Sequence, residues 1–198
     1  DMRRYKKLKL FVHGENLDTP QASNQDKDLK FFIRFGSDGT DNYYEYEASV
    51  KYTPKNATAP MDIWPMENDV DFNIQDFVDA KIRRDKNFPT DIILRRVDPE
   101  FGDEHKRIYI KGRPSLGNIT TIMLGVRNNQ RGAIGEKGRV LWVNEIRLSE
   151  IENDGGYAGN ASLNFNLGDF ATVNTSASYT SVGFGNIDSK PAERNQST

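Results

Sequence analysis

The stretch LKFFIRFGSDGTDNYYEYEASVKY, residues 29–52, decides the fold class. It opens with an apolar run, Leu29 to Phe35, which ends at the turn-forming residues Gly36-Ser37-Asp38-Gly39. From Tyr43 to Tyr52, aromatic or aliphatic residues alternate with polar ones. Alternation with a period of two is typical of a half-buried antiparallel strand. The two runs therefore predict a β-hairpin.

The alternating strand predicts one buried face and one solvent face. The first face carries Tyr44, Tyr46, Ala48, Val50 and Tyr52, and the second carries Glu45, Glu47, Ser49 and Lys51. Aromatic rings on a β-sandwich can stack on sugars, so a possible ligand or partner surface for a glycan consists of Tyr43, Tyr44, Tyr46 and Tyr52. Aromatic residues are also favoured in strands for packing alone. Both readings of the tyrosines stay open at this point.

Strand patterns recur on both sides of the hairpin. Further strands are predicted over Leu8–Val12, Arg107–Lys111, Ile119–Arg127 and Arg139–Leu148. One helix is predicted over Asp71–Lys86, with Asp71 or Asn73 as its N-cap, because apolar residues fall at helical spacing at Ile74, Phe77, Val78 and Ile82. One short helix among many strands predicts a mostly β protein, an antiparallel β-sandwich of jelly-roll type over residues 1–154.

The composition changes after Asp154, where charged residues become rare. Two alternating segments follow, and between them lies Gly168-Asp169. Strands of roughly ten residues with this pattern resemble a hairpin of a transmembrane barrel. Residues 155–187 are therefore predicted to form a barrel-type β-hairpin, and an ordinary amphipathic hairpin is the alternative. The polar residues 188–198 are predicted to be disordered.

Composition excludes several classes of activity. The chain has 198 residues, no cysteine, two histidines, 27 basic and 29 acidic residues. Without cysteine it has no disulfides, thiolate zinc sites, iron–sulfur clusters or cysteine nucleophiles. Near-neutral charge argues against nucleic-acid binding. His13 and His105 are expected to be exposed, and neither a nucleophile motif nor a dinucleotide fingerprint is present. We expect no enzyme activity and no cofactor.

A few acidic clusters leave room for a structural ion. They are Asp26/Asp28, Asp69/Asp71 and the stretch from Asp98 to Glu104. Solvated loop acids are the simplest reading, and a structural Ca²⁺ is the alternative because hard oxygen ligands suit it. The glycine-rich stretch Gly132–Gly138 predicts a mobile hairpin turn, because it lacks the ending of a phosphate loop and precedes a strand.

The most distinctive stretch is RVLWVNEIRL, residues 139–148, which resembles the last strand of carbohydrate-binding-like jelly rolls. Taken with later motifs, it resembles the SprA (Sov) family of Bacteroidetes from about residue 60 to the end. Those motifs are Lys81-Ile82-Arg83-Arg84, Gly155-Gly156-Tyr157-Ala158, Leu167-Gly168-Asp169-Phe170-Ala171-Thr172-Val173, Gly183-Phe184-Gly185-Asn186-Ile187 and Glu193-Arg194. The likeness is most specific from Leu141 to Arg194.

The resemblance implies a role in protein transport. SprA proteins are giant outer-membrane translocons of the type IX secretion system, which also supports gliding motility, and their large β-barrel passes folded cargo. It implies a non-catalytic structural or interaction domain at the outer membrane, on the cell surface or periplasmic side, excised from a larger chain that begins before Asp1. The expected partners are other segments of the translocon, secreted cargo or accessory subunits. The alternative function is a carbohydrate-binding module of a cell-surface protein.

Overall fold

The computed structural model describes residues 1–17, 29–90, 93–100, 106–128, 138–151, 155–181 and 183–185. The predictions made for Asp26/Asp28, His105, most of Gly132–Gly138 and residues 188–198 lie outside this part of the chain. The chain divides into two compact units, Asp1–Ile151 and Glu152–Thr198. No helix among the described residues has the length and apolar character needed to span a lipid bilayer.

Strands dominate both units. The strands are β1 (Tyr5–Asn16), β2 (Leu29–Gly36), β3 (Tyr43–Ser49), β4 (Val70–Asn73), β5 (Arg96–Val97), β6 (Lys106–Lys111), β7 (Thr121–Asn128), β8 (Arg139–Ile151), β9 (Ala158–Asn166) and β10 (Thr172–Thr180). The helices are α1 (Pro60–Ile63) and α2 (Ile74–Asn87), and Met66–Asn68 form a short 3-10 helix.

The first unit contains two antiparallel sheets. One has five strands in the order β5-β6-β3-β2-β7, and the other has three in the order β4-β1-β8. The hairpin predicted from residues 29–52 is β2–β3, with Phe35 opposite Tyr44 and Ile33 opposite Tyr46. The mostly antiparallel β class is confirmed.

Helix α2 completes the core through Phe77. Its ring lies 4.9 Å from Phe35, 5.9 Å from Tyr44 and 4.7 Å from Phe72, all measured between ring centroids. Phe77 and Phe35 are fully buried. Edge-to-face packing of this kind stabilises a core beyond the area that it buries. The aromatic cluster joins α2 to strands of both sheets.

The helix boundaries confirm part of the prediction and correct the rest. Asn73 is the N-cap, as predicted. The helix does not begin at Asp71, however, because Val70–Asn73 form strand β4. They pair with β1, where Asp71 lies opposite Lys9 and the two form a 2.9 Å ion pair. Ile82 was expected on the apolar face of the helix and is 60% exposed. Tertiary pairing therefore overrides the local helical pattern at the start of the segment.

The second unit contains the hairpin of β9 and β10. Gly168, whose φ is 64°, lies between the two strands. Val173 lies opposite Phe165 and Thr175 opposite Leu163, so the predicted apolar residues of both strands share one face. Both strands are exposed over almost their whole length.

Candidate functional site

Two carboxylates are buried on the outer face of the five-stranded sheet. Glu45 is 0% and Glu47 is 4% exposed, and both lie on β3. The expectation that this strand turns a polar face to solvent is therefore wrong. A buried carboxylate is costly unless it is paired and hydrogen-bonded. The neighbours of Glu45 and Glu47 meet this requirement.

Three arginines from distant parts of the sequence bind Glu45. Arg34 of β2 donates from Nε to Oε2 at 2.5 Å, and Arg95, just before β5, donates from Nη2 to Oε1 at 2.5 Å. Arg127 of β7 is bidentate, with Nη1 2.8 Å from Oε1 and Nη2 2.8 Å from Oε2. Charge-assisted, bidentate bonds of this type are the strongest that side chains form in proteins.

Glu47 shares two of these arginines, Arg127 and, at 3.4 Å from Nη2 to Oε2, Arg95. Its Oε1 accepts a bond from Lys30 Nζ at 3.0 Å and from the Tyr109 hydroxyl at 3.2 Å, while Oε2 accepts one from Arg127 Nη1 at 2.6 Å. Arg127 and Arg95 therefore both bridge the two carboxylates, and Arg127 makes the shorter bond to Glu47. We call these seven residues the glutamate cluster: Lys30, Arg34, Glu45, Glu47, Arg95, Tyr109 and Arg127.

Aromatic rings hold the guanidinium groups of the cluster in place. The guanidinium carbon of Arg127 lies 4.1 Å from the ring centroid of Phe32, and that of Arg95 lies 3.3 Å from the Tyr109 centroid. Gly125 of β7 lies opposite Phe32 and makes room for its ring, because a Cβ there would be 2.5 Å from Cζ. Stacking on rings fixes cations that would otherwise be mobile.

The cluster keeps its carboxylates ionised. Burial by itself raises the pKa of Glu45, but the hydrogen bonds from Arg127, Arg34 and Arg95 outweigh burial and hold that pKa below its ordinary value of 4.5. The same balance lowers the pKa of Glu47, where Lys30 and Arg127 oppose burial. Four cations face two anions, so the cluster carries a net charge of 4 − 2 = +2 among the described residues. This arrangement suits the attraction of an anionic group.

The four tyrosines do not share one exposed surface. Tyr44, Tyr46 and Tyr52 are 2%, 2% and 7% exposed and belong to the core. The Tyr44 hydroxyl donates to the Pro114 carbonyl at 3.1 Å, and burial raises the pKa of Tyr44 to about 12. Tyr43 points to the opposite face, where its ring centroid lies 4.3 Å from the guanidinium carbon of Arg34. The positions of the four tyrosines do not test glycan binding, which stays a prediction.

His13 is buried inside β1, contrary to the expected exposed position. Its Nδ1 lies 2.6 Å from the Ile63 carbonyl, and its Nε2 lies 2.9 Å from Glu15 Oε1. Thr53 Oγ1 is 3.0 Å from Nδ1 but donates its own proton to the same carbonyl at 2.9 Å. Because Thr53 donates its proton to the Ile63 carbonyl, His13 is not arranged to take a proton from Thr53.

Three of the acidic residues weighed for Ca²⁺, Asp71, Asp98 and Glu100, form ion pairs. Asp71 pairs with Lys9, and Asp98 accepts hydrogen bonds from both Arg83 Nε and Arg83 Nη2. Within the described ranges, no group of three or more potential ligand residues is placed to hold a metal ion.

The geometry defines a class: a two-sheet antiparallel β unit with a charged outer face, followed by an amphipathic hairpin. A family model described as motility related/secretion protein, SprA_N, matches residues 1–198. The chain therefore belongs to this family, and the resemblance seen in the sequence is confirmed. No curated protein matches the sequence.

Proposed function

We propose that the chain is a non-catalytic structural and interaction segment of an outer-membrane export translocon, the role that SprA proteins have in type IX secretion and gliding motility. Membership of a motility and secretion family supports this proposal. The observation that carries it is the hairpin of β9 and β10. The expected partners are other segments of the translocon, secreted cargo and accessory subunits.

The hairpin has one apolar and one polar face, and both are open. Leu163, Phe165 and Val173 are 54%, 51% and 45% exposed, and Ser162, Asn164 and Asn174 occupy the other face. An isolated two-stranded hairpin is at best marginally stable in water. In a barrel wall, the apolar face meets lipid, the polar face meets the lumen, and adjacent strands satisfy both edges. The pattern and exposure of β9–β10 fit that environment.

These 198 residues contain no cysteine, so a cysteine introduced among them can be labelled at one known position once any cysteine elsewhere in the full-length protein is replaced. Single cysteines at Leu163 and at its neighbour Asn164, which points to the other face, each carry a polarity-sensitive fluorophore in the secretion-competent protein reconstituted in lipid. We expect Leu163→Cys to give a blue-shifted emission that spin-labelled lipid quenches. Asn164→Cys is the matched control, and we expect aqueous iodide to quench it. A label on the exposed Lys55 of the first unit reports the fully hydrated signal.

Two outcomes separate this proposal from the alternatives. If both labels are quenched by iodide and neither by lipid, the hairpin does not lie in a membrane wall and the proposal fails. If Leu163→Cys is shielded from both quenchers, its face packs on protein, as in an ordinary amphipathic hairpin.

A further inference from the structure

Strand β7 is an unfinished edge of the five-stranded sheet. It is the last strand in the order β5-β6-β3-β2-β7, so one side of its backbone has no strand partner among the described residues. Ile122, Leu124 and Val126 lie opposite the core residues Phe35, Ile33 and Phe31, which are at most 1% exposed. Yet these three β7 side chains are 53%, 39% and 49% exposed. They share the core face of the sheet but are only half covered.

Edge strands usually carry features that prevent pairing, and β7 lacks them. Its register with β2 is uninterrupted over eight residue pairs, from Leu29–Asn128 to Gly36–Thr121. It contains no proline and no charged residue on its core face. By contrast β8, an edge of the other sheet, has positive φ angles at Glu145 and Glu150 and a register shift against β1. Bulges, prolines and inward charges are the devices that blunt an edge.

The outer face of the same edge is positively charged. Arg127 belongs to β7, and through it the edge carries the +2 charge of the glutamate cluster. The side chain of Arg127 is 29% exposed. A strand placed beside β7 would bring one of its outward side chains next to Arg127, at the distance of a cross-strand pair.

We propose that β7 accepts an extended strand of a partner protein that alternates apolar and acidic residues. Its backbone pairs with the free edge, its apolar side chains pack beside Ile122, Leu124 and Val126, and a carboxylate lies next to Arg127. In strand addition, backbone bonds provide affinity and alternate side chains provide specificity. This inference concerns the first unit, so it stands or falls independently of whether the hairpin meets lipid.

A second copy of the chain is a poorer occupant of this edge. β7 has the sequence TIMLGVRN and contains no acidic residue, so a symmetric β7–β7 pair would place no carboxylate next to Arg127. It would instead bring two copies of the +2 cluster towards each other. Like charges across an interface oppose association.

The probe is a nine-residue fluorescent peptide that alternates valine with glutamate. Its binding to the full 198-residue chain is followed by fluorescence anisotropy, and hydrogen exchange locates the site. We expect saturable binding that slows exchange at Thr121–Asn128 and leaves β8 unchanged. A counterpart with lysine in place of glutamate should bind about fivefold more weakly, because a favourable cross-strand charge pair becomes a repulsive one. A peptide with every backbone nitrogen methylated should not bind, because neither of its edges can donate backbone hydrogen bonds to β7.

Two variants of the chain complete the test. Leu124→Lys places a charge on the core face of the edge and should weaken binding at least about tenfold. Ile93→Lys is the matched control, since Ile93 is 75% exposed and lies outside the β7 edge, and it should leave binding unchanged. Circular dichroism checks that both variants fold, and the methylated peptide tests pairing without any change to the protein.

Several results would overturn the proposal. If the methylated peptide bound as tightly as the parent peptide, attraction by charge alone would explain the binding. If the lysine counterpart bound as tightly as the parent, the preference for an acidic partner would be wrong. Failure of the parent peptide to bind would refute strand addition. Sedimentation as a dimer with Thr121–Asn128 protected from exchange would assign the edge to a second copy.

Discussion

Replacing Glu45 by glutamine should destabilise the first unit far more than its size suggests. Glu45→Gln keeps the shape of the side chain but removes its charge, and one acceptor oxygen becomes an NH₂ donor. That donor would face either Arg34 and Arg127, which donate to Oε2, or Arg95 and Arg127, which donate to Oε1. The variant therefore buries a donor against donors and leaves Glu47, which contacts Arg95 and Arg127, as the single carboxylate of the cluster.

The expected cost follows from burial. Removing one partner of a buried ion pair costs about 3–5 kcal/mol. Glu45 itself is 0% exposed, so water cannot reach its position to replace the lost hydrogen bonds to the arginines. The side chains of Arg34, Arg95 and Arg127 are 19%, 31% and 29% exposed and can regain part of their hydration. We therefore expect the low end of the range, about 3 kcal/mol.

The matched control is Glu67→Gln. Glu67 forms an ion pair with Lys51 on the surface, where the two side chains are 61% and 44% exposed, so its loss should cost less than about 1 kcal/mol. Urea unfolding followed by tryptophan fluorescence reports the first unit alone, because both tryptophans, Trp64 and Trp142, belong to it. A loss for Glu45→Gln no larger than that for Glu67→Gln would refute the account of the cluster.

Acid should abolish the difference between the wild type and Glu45→Gln. The pKa of Glu45 is depressed in the folded state, so its contribution to stability is complete above the ordinary pKa of 4.5 and is lost as the pH falls through the lower, folded value. Urea midpoints measured from pH 7 down to pH 2 should therefore converge below about pH 4.5. Parallel curves over that whole range would contradict the depressed pKa.

Three further substitutions test the core, the support of the cluster and the independence of the hairpin. Phe77→Ala should lower the free energy of unfolding by about 3–5 kcal/mol in the same urea assay, because it leaves a cavity among buried rings; a loss below that of Glu67→Gln would argue against the aromatic junction. Gly125→Val should cost about 1–3 kcal/mol by pushing Phe32 from under Arg127, whereas Gly155→Val, which meets nothing within 4 Å, should change nothing in the tryptophan signal. Leu163→Ser should leave the tryptophan-reported midpoint unchanged, since Leu163 belongs to the second unit; a shifted midpoint would show that the units unfold together.

The sequence predicted the strands well because their side chains obey a period of two. The hairpin of β2 and β3 and the paired apolar face of β9 and β10 both follow from alternation, which depends only on local geometry. Strand β4 was missed for the opposite reason. Val70–Asn73 is too short to show a period, and its conformation is decided by pairing with β1.

The glutamate cluster could not be read from the sequence. Alternation identified Glu45 and Glu47 as polar positions, and polar positions of a strand normally face water. What buries them is Arg95 from a loop and Arg127 from β7, which are 50 and 82 residues away from Glu45 in sequence. Arg34 and Lys30 belong to the predicted hairpin itself, 11 and 17 residues from the carboxylates they bind, but the prediction gave no register to pair them. Long-range partners of this kind require the strand order, which no local pattern contains.

Stability and partner binding should respond to Glu45 with opposite signs. In Glu45→Gln the glutamate cluster has four cations and one anion, so its net charge rises from +2 to +3. Arg127 also loses its bidentate acceptor, which frees donors at the β7 edge for a carboxylate of an incoming strand. At pH 7 without urea, in a sample that circular dichroism shows to be folded, the alternating valine–glutamate peptide should therefore bind the variant about threefold more tightly than it binds the wild type. The lysine peptide should bind the variant more weakly than it binds the wild type. If the variant instead bound the acidic peptide more weakly than the wild type does, the cluster would act only as a structural support of the sheet. Its positive charge would then not contribute to binding at the β7 edge.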